Sequence, residues 1–91
     1  MNKQELVDAI AERTTTTKKE ADAILSAVVE AIIEAVAAGD KVTLVGFGTF
    51  EPRARQARQG RNPSTGDVIQ IPATTVPTFS PGKSFKEKVA S

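Results

Sequence analysis

Residues Arg53 to Gly66 read RARQARQGRNPSTG, with four arginines (Arg53, Arg55, Arg58, Arg61), no acid, and a closing Asn62-Pro63 beside a glycine-containing turn. Four guanidinium groups with no carboxylate inside the segment are too many charges to bury. Such a segment projects into water or lies against a polyanion. On either side stand apolar, strand-like stretches, KVTLVGFGTF before and VIQIPATTVPTF after. Together they predict a long β-ribbon with a basic tip, a shape suited to a DNA groove.

The net charge of +1 hides an asymmetry. Residues 1–40 carry four bases (Lys3, Arg13, Lys18, Lys19) against eight acids, a net of −4. Residues 41–91 carry eight bases against three acids (Glu51, Asp67, Glu87), a net of +5. Cations therefore collect in the C-terminal half, as on a polyanion-binding face, although a charged half can also be no more than a solvated surface. At 91 residues there is room for one domain with a small core.

Ahead of the ribbon the pattern is helical. Asn2 and Glu5 have capping-box spacing, and Leu6, Val7 and Ile10 then fall on one face. The β-branched run Thr14 to Thr17 predicts an end near Arg13. Thr17 with Glu20 restarts a helix, expected from Lys18 to about Ala38, with Gly39 as its left-handed cap. Ala21, Ile24, Leu25, Val28, Val29, Ile32, Ile33 and Val36 form a double apolar stripe, wider than one short helix covers. Each large side chain is worth roughly 1.5–3 kcal/mol when buried. A second copy of the chain is the simplest cover; a single monomeric core is the alternative.

Gly39-Asp40 turns into a first strand, Lys41 to Val45, and Gly46-Phe47-Gly48 then allows a tight reversal. The strand resumes at Thr49 and Phe50, and Pro63 to Asp67 (PSTGD) is the turn at the tip. Val68, Ile69 and Ile71 start the return strand, which Pro72 and Pro77 confine to a sheet edge or a bulge. Ser80-Pro81 has the form of an N-cap and first helical residue. It predicts a C-terminal helix from about Gly82 to Val89, with Phe85 and Val89 inward and Lys83 and Lys86 on another side.

The chain contains no His, Cys, Tyr or Trp. Serine–histidine and cysteine–histidine nucleophiles cannot be assembled, and histidine or thiolate metal sites are excluded. No GxxxxGK[ST] loop is present, and Gly46-Phe47-Gly48 does not complete a GxGxxG fingerprint. We therefore expect no enzyme activity, no catalytic residues, no metal and no cofactor. Phe47, Phe50, Phe79 and Phe85 sit in core-like contexts, which argues against stacking of single-stranded bases. With no leader-like segment and no run of about 20 apolar residues, the expectation is a soluble, intracellular protein without a membrane partner.

Residues Gly46 to Thr65, GFGTFEPRARQARQGRNPST, resemble the signature of the bacterial histone-like HU family. The match rests on the Gly-Phe pair, Phe50, Arg55, Arg58, Gly60, Asn62-Pro63 and Thr65, and the order of elements agrees along nearly the whole chain. The resemblance implies an α+β fold: an intertwined dimer with a helical base, a small antiparallel sheet and two protruding β-ribbon arms. In that scheme residues 1–91 are one DNA-binding domain, with residues 1–40 for dimerisation, 41–80 for the sheet with its arm at about 53–75, and 81–91 for the last helix. HU and its relative, integration host factor, are known as minor-groove architectural proteins with apolar wedges, so that placement comes with the resemblance.

On this chain the resemblance implies that Arg53, Arg55, Arg58 and Arg61 line the arm and that Pro63 enters between base pairs beside Asn62. Gly46, Gly48, Lys3, Lys83 and Lys86 become candidates for contact with DNA backbone. The implied partners are double-stranded DNA, best when bent, nicked or distorted, and a second subunit, expected to be identical. The implied place is the cytoplasm, on the nucleoid. Gln56, Gln59 and Ser64 are neutral where a more basic arm could carry lysine, so weaker binding is expected than for a strongly cationic relative. The GFG sequence favours HU over integration host factor.

Two other classes fit the ribbon less well. A module that adds a strand to a partner's sheet would present a bare apolar edge in place of four arginines. A double-stranded RNA binder would meet a wide, shallow minor groove that suits a narrow-groove wedge poorly.

Overall fold

The computed structural model describes residues 1–91, which form two compact units, Met1–Glu34 and Ala35–Ser91. No helix is long and apolar enough to cross a membrane.

The first unit is helical. Helix α1 spans Lys3–Thr14 and α2 begins at Lys18, running to Ala37. The Asn2 side chain accepts a hydrogen bond from the Glu5 amide at 2.9 Å, and Thr17 Oγ1 accepts one from Glu20 at 3.1 Å. Each satisfies an amide that has no partner within its helix. The turn between them is tighter than the threonine run predicts. Thr15 caps α1 with φ 55°, a left-handed conformation that glycine would adopt with less strain. Val7 and Ala21 are the only fully buried apolar residues in the chain. The double stripe of α2 divides accordingly: Leu25, Ile32 and Val36 are half-buried, whereas Ile24 (57%), Val28 (45%), Val29 (46%) and Ile33 (61%) remain exposed.

The C-terminal end of α2 is closed as a Schellman motif. Gly39 N–H donates to Val36 O at 3.0 Å and Asp40 N–H to Ala35 O at 2.9 Å, with Gly39 at φ 96°.

The second unit holds two antiparallel sheets. Strands β1 (Val42–Leu44), β2 (Gly48–Arg55) and β5 (Thr74–Pro81) form one, in the order β1-β2-β5. Strands β3 (Arg58–Arg61) and β4 (Val68–Ile71) form the other. The predicted ribbon is therefore jointed: pairing stops after Arg55↔Thr74 and resumes at Arg58↔Ile71. Pro72 lies at this joint, and β5, which contains Pro77, is an edge strand, as their missing amides require.

Pro77 is opposite Pro52 in the register. Neither can donate, so a ladder running through both needs them as a non-hydrogen-bonded pair, with both amide positions facing outward.

Residues 44–47 make the β1–β2 reversal, with Phe47 N–H donating to Leu44 O at 3.0 Å and Gly46 at φ 85°. One face of the three-stranded sheet carries Phe50 and Phe79, whose ring centres lie 4.8 Å apart. Phe47 stacks on Phe85 of helix α3 (Lys83–Ala90) at 5.4 Å, which ties that helix to the sheet. The four phenylalanines thus form one aromatic cluster, but it is less of a core than their sequence contexts predict: Phe50 and Phe85 are half-buried, while Phe47 and Phe79 remain exposed in the single chain.

Two expectations at the C-terminus are corrected. Ser80 and Pro81 do not start α3; they are the last residues of β5, paired with Thr49 and Gly48. Gly82 occupies the cap position without a side-chain bond, and its amide donates to Phe47 O at 2.8 Å. Sheet pairing thus overrides the local Ser-Pro capping preference. Val89, expected inward with Phe85, is 71% exposed in the single chain.

Candidate nucleic-acid interface

Strand parity sorts the cations. Side chains two apart on a strand share a face, so Arg53 and Arg55 lie on the same side of β2, opposite Val76 and Thr74. On β3, Arg58 and Arg61 are three apart and point to opposite faces of the ribbon. Arg58 shares its face with Gly60, Ile69 and Ile71, and a side chain at Gly60 would come within 3.1 Å of Ile71 Cδ1. Arg61 shares the other face with Gln59, Gln70 and Val68. The arm thus presents guanidinium groups on both sides.

All four arginines are exposed. Arg55, Arg58 and Arg61 form no ion pair, which matches the reading of the segment as charge without partners. Arg53 departs from it: its Nη2 lies 4.0 Å from Glu51 Oε1. Glu51 falls just outside the Arg53–Gly66 segment, and strand parity, which puts positions 51 and 53 on one face, is the signal that finds it.

The tip is a closed turn. Asn62 N–H donates to Asp67 O at 2.8 Å, and Gly66 N–H donates to Asn62 O at 2.7 Å. The Asn62 side chain accepts from the Ser64 amide at 2.9 Å, and Thr65 Oγ1 from the Asp67 amide at 3.3 Å. Gly66, at φ 77°, completes the reversal. These bonds fix the backbone on both sides of Pro63 and leave its ring exposed. Asn62 is therefore the organiser of the tip as well as the neighbour of Pro63.

The remaining candidates differ in kind. Gly46 is open: a side chain there would meet nothing within 4 Å, and only its positive φ requires glycine. Gly48 is buried, and a Cβ there would come within 2.6 Å of both Phe79 Cε1 and Ser80 O. Its missing side chain serves sheet packing. Lys83 is exposed and 3.9 Å from Glu87, while Lys86 forms no ion pair. Lys3, in the helical unit, is engaged: Nζ donates to Ser26 Oγ at 2.8 Å and lies 3.7 Å from Asp22 Oδ1.

The family described as bacterial DNA-binding protein matches residues 1–90. DNA-binding protein HU of a Nostoc species is 67% identical over 90 residues, covering 99% of this chain and 96% of the relative. DNA-binding protein HU 1 of Bacillus subtilis is 51% identical over 90 residues, covering 99% and 98%. Among solved structures, an Anabaena HU–DNA cocrystal structure superposes with a TM-score of 0.94 at 67% identity, covering 99% of this chain and 98% of that one. HU from Thermotoga maritima gives 0.70 at 39% identity, covering 98% of each. Aligned along almost its full length and in both sequence and fold, the chain belongs to the bacterial DNA-binding protein family, with HU proteins as its relatives.

Proposed function

We propose that this protein is an architectural binder of double-stranded DNA that works as a pair of identical subunits and bends the duplex. The observation that carries the reading is the tip. An exposed proline is held on a hydrogen-bonded turn between Asn62 and Asp67, directly beyond unpaired arginines on both faces of the ribbon. The solved HU–DNA complex with its TM-score of 0.94 supports it.

In this reading the mechanism is electrostatics plus deformation. Arg55, Arg58 and Arg61 neutralise phosphates and release counterions, giving affinity with little sequence information. A narrow minor groove concentrates negative potential and attracts the same side chains, while its degenerate base pattern limits sequence readout. The Pro63 ring, rigid and without an amide donor, replaces a lost stacking surface at an unstacking cost of a few kcal/mol. Two subunits supply two wedges. DNA already bent, nicked or mismatched needs less deformation and binds more tightly.

The second subunit is argued from surface. On α2 the side chains of Ile24, Val28, Val29 and Ile33 stand open to water in the single chain. An apolar hollow lined by Leu6, Leu25 and Val29 accompanies the open stripe of α2. A partner chain covering this surface would provide the core that Val7 and Ala21 alone do not. Residues 1–40 would then be the dimerisation part.

Titration of matched DNA and RNA duplexes, straight and nicked, tests the proposal. The expected order of affinity is nicked DNA, then straight DNA, then RNA. Equal affinity for all three would reduce the protein to a general polyanion binder.

A further inference from the structure

Strand β2 divides its side chains between two faces. The aromatic face holds Phe50, with Phe79 opposite. The other carries Thr49, Glu51, Arg53 and Arg55, opposite Ser80, Thr78, Val76 and Thr74 of β5, and Thr43 of β1 joins it opposite Thr49. Nearly everything polar on this face can donate a hydrogen bond to a phosphate oxygen. Glu51 is the exception, and it is the only acid on any of the five strands.

Its placement is specific. The Glu51 carboxylate lies 4.0 Å from the Arg53 guanidinium, and its side chain is 33% exposed against 63% for the arginine. Thr78 Oγ1 donates to the Glu51 backbone carbonyl at 3.1 Å, across the strand pair. The carboxylate is thus the more enclosed partner and the arginine the more exposed one. An exposed ion pair of this kind adds little to fold stability. It has a larger effect on a ligand that competes for one of its members, because an incoming phosphate must displace the carboxylate and then remain beside it.

We propose that Glu51 is a built-in competitor for phosphate at Arg53, holding back one cation per arm and so lowering the affinity for duplex DNA. The inference rests on the duplex-binding reading above. It distinguishes Arg53, whose charge is partly spent within the chain, from Arg55, Arg58 and Arg61, whose charge is free.

The test is duplex binding across a series of salt concentrations by the wild-type chain, Glu51→Gln, Arg53→Gln and the double variant. Glu51→Gln should bind about five-fold tighter, the factor that corresponds to an exposed ion pair of ordinary strength. Its log–log salt dependence should steepen by about 0.9 for each arginine released. In the Arg53→Gln background the same change should yield less than about half of that gain on a logarithmic scale, because the competed cation is gone. Unchanged or weaker binding by Glu51→Gln, with wild-type binding intact, would overturn this inference alone. So would an equal gain in the Arg53→Gln background, which would make Glu51 a general repulsive charge. A wild-type chain that binds no duplex would overturn the underlying reading as well.

Discussion

The second helix and the β-arm are both exposed, yet their chemistry is opposite. Ile24, Val28, Val29 and Ile33 expose hydrocarbon that water disfavours, while Arg55, Arg58 and Arg61 expose charge without a counter-charge. Neither region is completed within the single chain. The first calls for an apolar partner and the second for a polyanion. Exposure alone therefore does not identify a functional surface; the type of atom exposed decides which partner completes it.

The largest expected effect falls on the helical side. Val29→Asp puts a charge into the surface assigned to the partner subunit and should cost more than about 3 kcal/mol. For the unaltered protein the thermal midpoint should rise with protein concentration, as it does when folding and association are coupled. A concentration-independent midpoint with a monomeric mass by analytical ultracentrifugation would break the comparison at that end.

Next is the packing that supports the arm. Gly48→Ala should destabilise by about 1–3 kcal/mol, because its methyl group would meet the Ser80 carbonyl and the Phe79 ring at 2.6 Å. Chemical denaturation measures this. A cost below about 0.5 kcal/mol would show that the sheet yields easily there.

On the arm itself the effect is on binding. Arg58→Ala or Arg61→Ala should weaken all duplex sequences similarly and flatten the salt slope by about 0.9 per site, roughly double that for two subunits. A switch in sequence preference with an unchanged slope would make these base-reading residues. The smallest effect is at the turn between the helices. Thr15→Gly should stabilise by no more than about 1 kcal/mol, because relief of a left-handed strain of about 1–2 kcal/mol at φ 55° is offset by the roughly 0.5–1 kcal/mol that glycine's extra unfolded-state entropy costs.

Much of this was legible in the sequence because local chemistry decided it. The caps at Asn2 and Thr17, the Gly39 terminus and the Pro63 turn all formed where short-range hydrogen bonding predicts. The errors fall where distant residues decide. Ser80-Pro81 has good helix-start chemistry, but pairing with Gly48 and Thr49 holds it in a strand. The pairing of Pro52 with Pro77 and the joint beside Pro72 depend on register, which no local pattern fixes. The Glu51–Arg53 contact depends on alternating strand faces, which a linear run of basic residues does not display. At the site, the arm's charge and its tip proline could be read directly. The burial of Gly48 and the engagement of Lys3 by Ser26 and Asp22 could not.

The central claim is that Pro63 acts as a wedge and not only as a turn former. Fluorescence energy transfer between the ends of a short duplex, measured at protein saturation, separates the two. The wild-type chain should bring the ends together. Pro63→Ala, whose turn keeps the Asn62–Asp67 and Asn62–Gly66 bonds, should still bind through its arginines and leave the duplex markedly straighter. An end-to-end distance identical to that of the wild-type complex, with Pro63→Ala fully bound, would contradict the account.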